Sequence, residues 1–279
     1  MQITTAEVNK LRQQTGAGVM DCKKALEEAQ GDFEKAIEIL RKKGQKISAN
    51  RQDREAKEGL VVCAVSEDNK TAAAVELNCE TDFVARNEEF ASFAQKVVQV
   101  VLKEKIDNPD NLTHKLIDGK KISDHLLDLM AKIGEKITIS KSTYLASNGI
   151  VVSYTHPGSR LAVLVALEGS QKEGVHEVGK SIAMQIAALN PVSIDEKSVP
   201  QEIIERELEI GRELARQEGK PENMIEKIAQ GKLQKFYKEA TLLHQEFVRD
   251  NSKTVQKYLQ EFDPNLKVVA FKRIQLGAK

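Results

Sequence analysis

Apolar positions in the first forty residues fall at helical spacing. Val8 and Leu11 make the inner face of a short helix opened by a Thr4/Glu7 capping pair, and Thr15-Gly16-Ala17-Gly18 stops it. Cys22, Leu26 and Ala29 share one stripe of a second helix, which ends before Gly31. Asp32 is placed to cap a third, in which Phe33, Ala36, Ile37 and Leu40 recur at helical offsets. Gly44 is expected to close this unit, so residues 1–43 form a helical module. Residues 44–58 are charged and poor in large apolar side chains, which predicts a linker with some helical potential.

The period then changes, and the chain repeats itself. Gly59-Leu60-Val61-Val62 returns 90 residues later as Gly149-Ile150-Val151-Val152, and Ala72-Ala73-Ala74-Val75 returns at the same offset as Ala162-Val163-Leu164-Val165. Each copy predicts a β-hairpin, with tips at Glu67-Asp68-Asn69-Lys70 and Pro157-Gly158-Ser159-Arg160. A helix follows each: Phe90, Phe93, Ala94, Val97, Val98 and Val101 form one stripe, and Val175, Val178, Ile182 and Ile186 the other. Phe93 aligns with Val178 at an offset of 85, so the first copy carries five extra residues between strand and helix, within Asn78–Asn87. Lys136-Ile137-Thr138-Ile139 and Lys267-Val268-Val269-Ala270 align at an offset of 131, each a third short strand.

That last offset implies an insertion of 46 residues in the second copy. Ile204, Leu208, Gly211 and Ala215, then a break at Gly219-Lys220-Pro221, then Ile225, Ile228, Ala229, Phe236 and Tyr237, predict a helical hairpin. The expected fold is therefore α+β. It comprises the helical module, the linker, core unit 1 at 59–145, core unit 2 at 146–190 and 251–279, and a helical arm at 191–250. Two copies of one small fold suggest a wide binding platform rather than one catalytic cleft. The stripe on the arm fits a homodimer through the arm, or a self-contained hairpin.

Composition narrows the function. Lys plus Arg and Asp plus Glu both number 42, so the chain lacks the positive excess of a dedicated nucleic-acid binder. No apolar run reaches membrane-spanning length, and Met1–Val8 has no signal-peptide character; the expected location is cytoplasmic. Cys22, Cys63 and Cys79 lack CxxC spacing and fit free thiols. There is no phosphate loop, HExxH or GxSxG. His114, His125, His156, His176 and His244 have no metal-ligand spacing, and only His156, near a hairpin tip, has the position of a contact residue. Neither a metal nor another cofactor is expected. A hydrolase using Cys79 is the weakest alternative, because Glu80 and Asp82 beside it would raise the thiol pKa, the wrong direction for a nucleophile.

The surplus segment Cys79-Glu80-Thr81-Asp82-Phe83-Val84-Ala85-Arg86-Asn87 admits two chemical readings. In one, Thr81 or Asn87 caps the next helix and Phe83 packs on the core. In the other, Phe83 is an exposed aromatic anchor for a partner's pocket.

Thr81-Asp82-Phe83-Val84-Ala85-Arg86-Asn87 resembles the signature of the elongation factor Ts family, as does Thr15-Gly16-Ala17-Gly18-Val19-Met20-Asp21-Cys22-Lys23-Lys24-Ala25-Leu26. The likeness runs over essentially the whole chain. It implies a three-helix ubiquitin-associated-like module before the duplicated core. It also implies a non-enzymatic guanine-nucleotide exchange factor that binds elongation factor Tu with GDP and promotes GDP release and GTP loading, without binding nucleotide itself. Carried over, Thr81, Asp82, Phe83 and Val84 would disturb the partner's magnesium site, with Phe83 as the wedge. Arg12, Val19 and Met20 match family positions that touch the partner's GTPase domain, and His156 and Val248 match positions near the contact surfaces of the second unit. Val19 replaces a frequent Met, Pro157 is additional, and Glu246 stands where a Pro often precedes Phe247-Val248. The alternative outside this class is a non-catalytic ubiquitin-associated-like adaptor or chaperone.

Overall fold

A computed structural model describes residues 3–51 and 53–278. Met1, Gln2, Gln52 and Lys279, at the ends of the expected units and within the expected linker, lie outside the described residues. The N-terminal module consists of α1 (Thr5–Thr15), α2 (Val19–Glu28) and α3 (Phe33–Asn50). Thr4 and Glu7 form the expected capping box, Gly16 takes the left-handed conformation that ends α1, and Asp32 Oδ1 accepts the Lys35 N–H. Val8, Leu11, Cys22, Leu26, Ala36 and Leu40 are buried together.

Gly44 does not end α3, contrary to the sequence expectation; the first half of the expected linker, as far as Asn50, is helix. The reason is packing. A Cβ on Gly44 would lie 2.4 Å from the Leu127 carbonyl oxygen and 3.2 Å from the Ala131 Cβ, so the glycine marks where α3 crosses the later helix α6 (Ile122–Ile133) at close range.

Unit 1 comprises β1 (Glu58–Val65), β2 (Thr71–Cys79), α4 (Asp82–Ala85), α5 (Glu88–Glu104), a small hairpin of β3 (Leu116–Ile117) and β4 (Lys120–Lys121), α6 (Ile122–Ile133) and β5 (Thr138–Ala146). Unit 2 repeats the order with β6 (Ile150–Thr155), β7 (Leu161–Glu168) and α7 (Val175–Leu189). The arm follows, as α8 (Gln201–Gln217) and α9 (Glu222–Ala240). The small hairpin β8 (Glu246–Phe247) and β9 (Asp250–Thr254), α10 (Val255–Phe262) and β10 (Lys267–Gln275) complete it. Each main sheet is antiparallel, ordered β1-β2-β5 and β6-β7-β10.

Two expected boundaries move. The third strands are nine residues each, longer than the short segments predicted, because pairing with β2 and β7 continues past the apolar start into Lys, Ser and Thr positions. The arm helices end at Ala240, and the segment expected as its last stretch, up to 250, holds instead the second copy of the small hairpin. Ile117 and Phe247 are its buried anchors. One buried position per copy is too little for the sequence alone to reveal that repeat. Within the arm, Gly211 and Ala215 of the stripe are buried, with Gly211 against Ala229 of the return helix.

Both faces of each sheet are covered, which explains why the strands read as unbroken apolar runs rather than alternating ones. Leu60, Val62, Val75 and Leu77 face α5, whereas their neighbours Val61, Ala72 and Ala74 face the other sheet. In unit 2, Val163, Val165 and Leu167 face α7, and Val151, Ala162, Leu164 and Ala166 face inward. The hairpin tips lock the two sheets reciprocally, as a two-fold relation requires. Val61 N donates to Ser159 O at 2.7 Å, and Val151 N to Asn69 O at 2.6 Å. Ser147 N donates to Lys70 O at 2.9 Å, and Leu276 N to Arg160 O at 2.8 Å. Asn69 and Ser159 share a left-handed φ, 54° and 53°.

Candidate functional site: the one-turn helix after β2

The five surplus residues of unit 1 are spent on α4. Thr81 is its N-cap, its Oγ1 accepting the Val84 N–H at 3.5 Å, and Asn87 separately caps α5 through bonds from Glu89 N and Phe90 N. Both proposed caps are therefore used, on different helices. Val84 and Ala85 pack against the core of unit 1. Phe83 points the other way and is 82% exposed, so the core-packing alternative for it does not hold. A one-turn helix separates consecutive side chains by roughly 100°, and burying Val84 and Ala85 turns Phe83 to solvent. Asp82, half exposed, pairs with Arg86 at 2.9 Å.

Charged groups hold the entrance to this turn. Glu135, just after the left-handed Gly134 that ends α6, accepts from Glu80 N at 3.1 Å, Thr81 N at 3.0 Å and Thr81 Oγ1 at 2.7 Å. Glu80 returns the contact by accepting from Lys136 N at 2.7 Å. It also receives Arg51 at 2.6 and 2.7 Å and Arg54 at 3.1 Å, both from the end of the α3 region. Burial works to raise the Glu80 pKa, but the Lys136 N–H and the two arginines outweigh it and hold the carboxyl below its ordinary 4.5.

Cys79 is fully buried, and its thiol donates to Thr81 O at 3.1 Å. Its pKa is pushed up to about 12, first by burial and then by the charge of Glu135. The direction agrees with the sequence argument, although the cause is different. A buried, protonated thiol is not a nucleophile, and the hydrolase alternative falls.

The remaining predicted residues sit on the surface. Val19 and Met20 begin α2 and are 45% and 62% exposed. Arg12 is exposed one turn before the end of α1, where its carbonyl accepts the Gly16 N–H. The 15–18 loop leans toward unit 1: Gly16 lies against the Lys132 side chain, and Lys132 pairs with Glu89 in the first turn of α5. The α1–α2 corner and the α4–α5 corner are thus bridged. His156 is exposed at the tip of the second hairpin, with Nδ1 2.9 Å from the Tyr154 hydroxyl. That tip also approaches α4, since Arg160 pairs with Glu58 and feels the charge of Asp82. Val248 is exposed at the β8–β9 turn and is held by a bond from its N–H to the buried Gln185 at 2.8 Å.

Sequence reasoning missed Glu135, Glu80 and Arg51 as supports of the turn. The expected offset of 131 between the third strands is off by two: Asn78 pairs with Thr138 and Glu168 with Lys267, an offset of 129, which sets Glu135 opposite Pro264, so a carboxylate stands where the other copy has a proline.

Among the described residues no cluster of three or more His, Cys, Asp or Glu is placed to hold a metal, and no helix is long and apolar enough to cross a membrane. A sequence model of the family described as Elongation factor TS matches residues 80–278. A relative described as elongation factor Ts from Amoebophilus asiaticus is 50% identical, covering 100% of both chains. Those from Cytophaga hutchinsonii and Christiangramia forsetii are 50% and 47% identical, each covering 99% of both chains. Likeness of this extent, spanning the helical module, both core units and the arm, makes the chain a member of the elongation factor Ts family of translation elongation factors.

Proposed function

We propose that this chain is a guanine-nucleotide exchange factor for elongation factor Tu. It binds the GDP-loaded GTPase, promotes GDP release and allows GTP to load during elongation. It catalyses no covalent step and binds no nucleotide itself, and its work belongs in the cytoplasm. The observation that carries this reading is Phe83, a large aromatic held 82% exposed on a turn whose neighbours are anchored on both sides. It is the fixed placement of this aromatic, rather than its exposure alone, that suits it to a partner's pocket.

Phe83 acts as the wedge at the partner's magnesium site, with Asp82 beside it and Thr81 and Val84 setting the turn. Arg12, Val19 and Met20 contact the GTPase domain from the helical module, and His156 and Val248 extend the contact from unit 2. Linkage sets the energetic requirement: whatever binding weakens GDP must be matched by tighter binding to the nucleotide-free partner. Burying one phenyl ring supplies about 1.5–3 kcal/mol, or about one to two powers of ten in a rate. The surrounding surface supplies the rest of the binding, which accounts for so broad a platform around one short turn.

Release of fluorescently labelled GDP from elongation factor Tu tests this. The wild-type chain accelerates release, and Phe83→Ala slows the stimulated rate by about ten- to a hundredfold. Equal stimulation by Phe83→Ala would remove the wedge. No stimulation by the wild type would remove the exchange reading and favour the adaptor or chaperone alternative.

A further inference from the structure

Phe83 leaves the surface in one direction because the turn beneath it is held from outside. At four residues, α4 is far below the length at which a helix in water sustains itself. Val84 and Ala85 fasten its downstream side to the core of unit 1. On its upstream side Cys79 is buried in the same core and donates to Thr81 O, and Glu80 and Thr81 lie between it and the helix. There the fastening is the Glu135 carboxylate, with one oxygen on two consecutive backbone N–H groups and the other on the capping hydroxyl of Thr81. That hydroxyl caps α4 in turn, so Glu135 orients the group that starts the helix.

We propose that Glu135 is a positioning residue for nucleotide exchange, acting through Phe83 by fixing residues 80 and 81. The proposal rests on the exchange reading above and extends it to a residue outside the predicted contact set. Three observations converge on it. Glu135 makes three bonds to a two-residue stretch, a number that leaves that stretch little rotational freedom. The bonding is reciprocal, since Glu80 accepts from the neighbouring Lys136 N–H, so segments 80–81 and 135–136 are clasped twice. Unit 2, which has no one-turn helix, carries Pro264 at the position that the strand registers match to Glu135, so it has no carboxylate there.

A clasp of this kind pre-organises the wedge. Without it the turn samples several directions, and docking Phe83 must first order it. The broad contact surface is unaffected, so the loss falls on the maximal rate rather than on apparent affinity.

Labelled-GDP release from elongation factor Tu is measured over a range of factor concentrations with the full chain. Glu135→Ala is expected to lower the saturating rate about tenfold while the half-saturating concentration stays within about twofold. Glu135→Gln keeps an oxygen for the two N–H groups and an amide for the Thr81 hydroxyl, so it stays within about threefold of wild type. In a Phe83→Ala background, Glu135→Ala adds less than about twofold, because both changes act on one element. In the free protein, the Arg86 and Asn87 amides, which close α4, exchange hydrogen faster in Glu135→Ala than in Glu135→Gln.

A wild-type rate for Glu135→Ala overturns the proposal, as does an undiminished effect in the Phe83→Ala background or equal loss in both Glu135 variants. If the wild type itself fails to stimulate release, the exchange reading fails. The hydrogen-exchange comparison then still decides whether Glu135 holds the turn.

Discussion

Unit 1 runs from Asn78, the last residue of β2 paired to β5, to Phe93, the first inner position shared by the helix stripes, through α4; unit 2 runs from Glu168 to Val178 without one. The frames on either side agree closely. Phe93, Ala94, Val97, Val98 and Val101 are buried, and so are Val178, Gly179, Ile182, Ala183 and Ile186 at the same offset. A five-residue surplus between two rigid elements cannot enter a packed core without displacing it, so it folds on the surface and leaves one large side chain unburied. Unit 2 secures its shorter connection with Ser170, which donates to Asp263 at 2.7 Å, and with Lys172, which donates to Phe262 O at 2.9 Å and pairs with Asp263. Unit 1 uses two carboxylates, two arginines and two backbone segments for the same purpose. The difference shows how duplication separates roles: the shared frame supplies stability, and the unshared connection is free to carry function.

Breaking this contrast most directly means making the units alike. Replacing residues 80–89 by the Ser170–Gly174 segment should lower stimulated GDP release by about a hundredfold or more, since Phe83 and its support vanish together. Circular dichroism should still report a folded chain. The next effect separates two phenylalanines seven positions apart. Phe90 is fully buried, and Phe90→Ala should destabilise the chain by about 3–5 kcal/mol in urea unfolding. Phe83→Ala should change stability by no more than about 0.5 kcal/mol, because its ring contacts mostly water. Comparable stability losses at the two sites would contradict the assignment of one to the core and the other to a partner.

The smallest expected effect concerns acid. The Glu80 carboxyl is held below 4.5 in the folded chain, so its contribution to stability is present above that value and fades as pH falls through the lower folded pKa. Wild type should therefore lose stability as pH falls below about 4.5 more steeply than Glu80→Gln, read from urea midpoints over the acid range. A parallel acid limb in the two proteins would show that the Arg51–Glu80 attachment contributes nothing measurable. Asp263, depressed first by the Asn265 N–H and then by Ser170, belongs to the other unit and serves as the internal comparison.

Much of this organisation was legible in the chain. The 90-residue echo located both hairpins, because strands buried on both faces keep apolar residues at every position and so preserve a readable pattern. The cap at Thr4, the stop at Gly16 and the helical arm were legible for the same kind of local reason. Gly44 misled because a glycine at a helix crossing and a glycine at a helix end look identical in sequence; only Leu127 and Ala131, more than eighty residues away, distinguish them. The third strands were underestimated because polar residues, Lys141 to Thr143 in one and Lys272 and Arg273 in the other, interrupt their apolar positions.

By itself, the sequence determined the α+β class, the duplication, the surplus of five residues and the family. The first three rest on local periodicity or on a pattern repeated along the chain, and the family on the resemblance of residues 15–26 and 81–87 to its motifs. Tertiary structure alone decided the direction of Phe83. Chemistry left that residue with two outcomes, core or surface, and the choice belonged to Val84 and Ala85 packing beneath it and to Glu135, 52 residues further along the chain, clasping the turn above. Contacts between distant segments follow from how elements pack in space, and no periodicity within either segment encodes them.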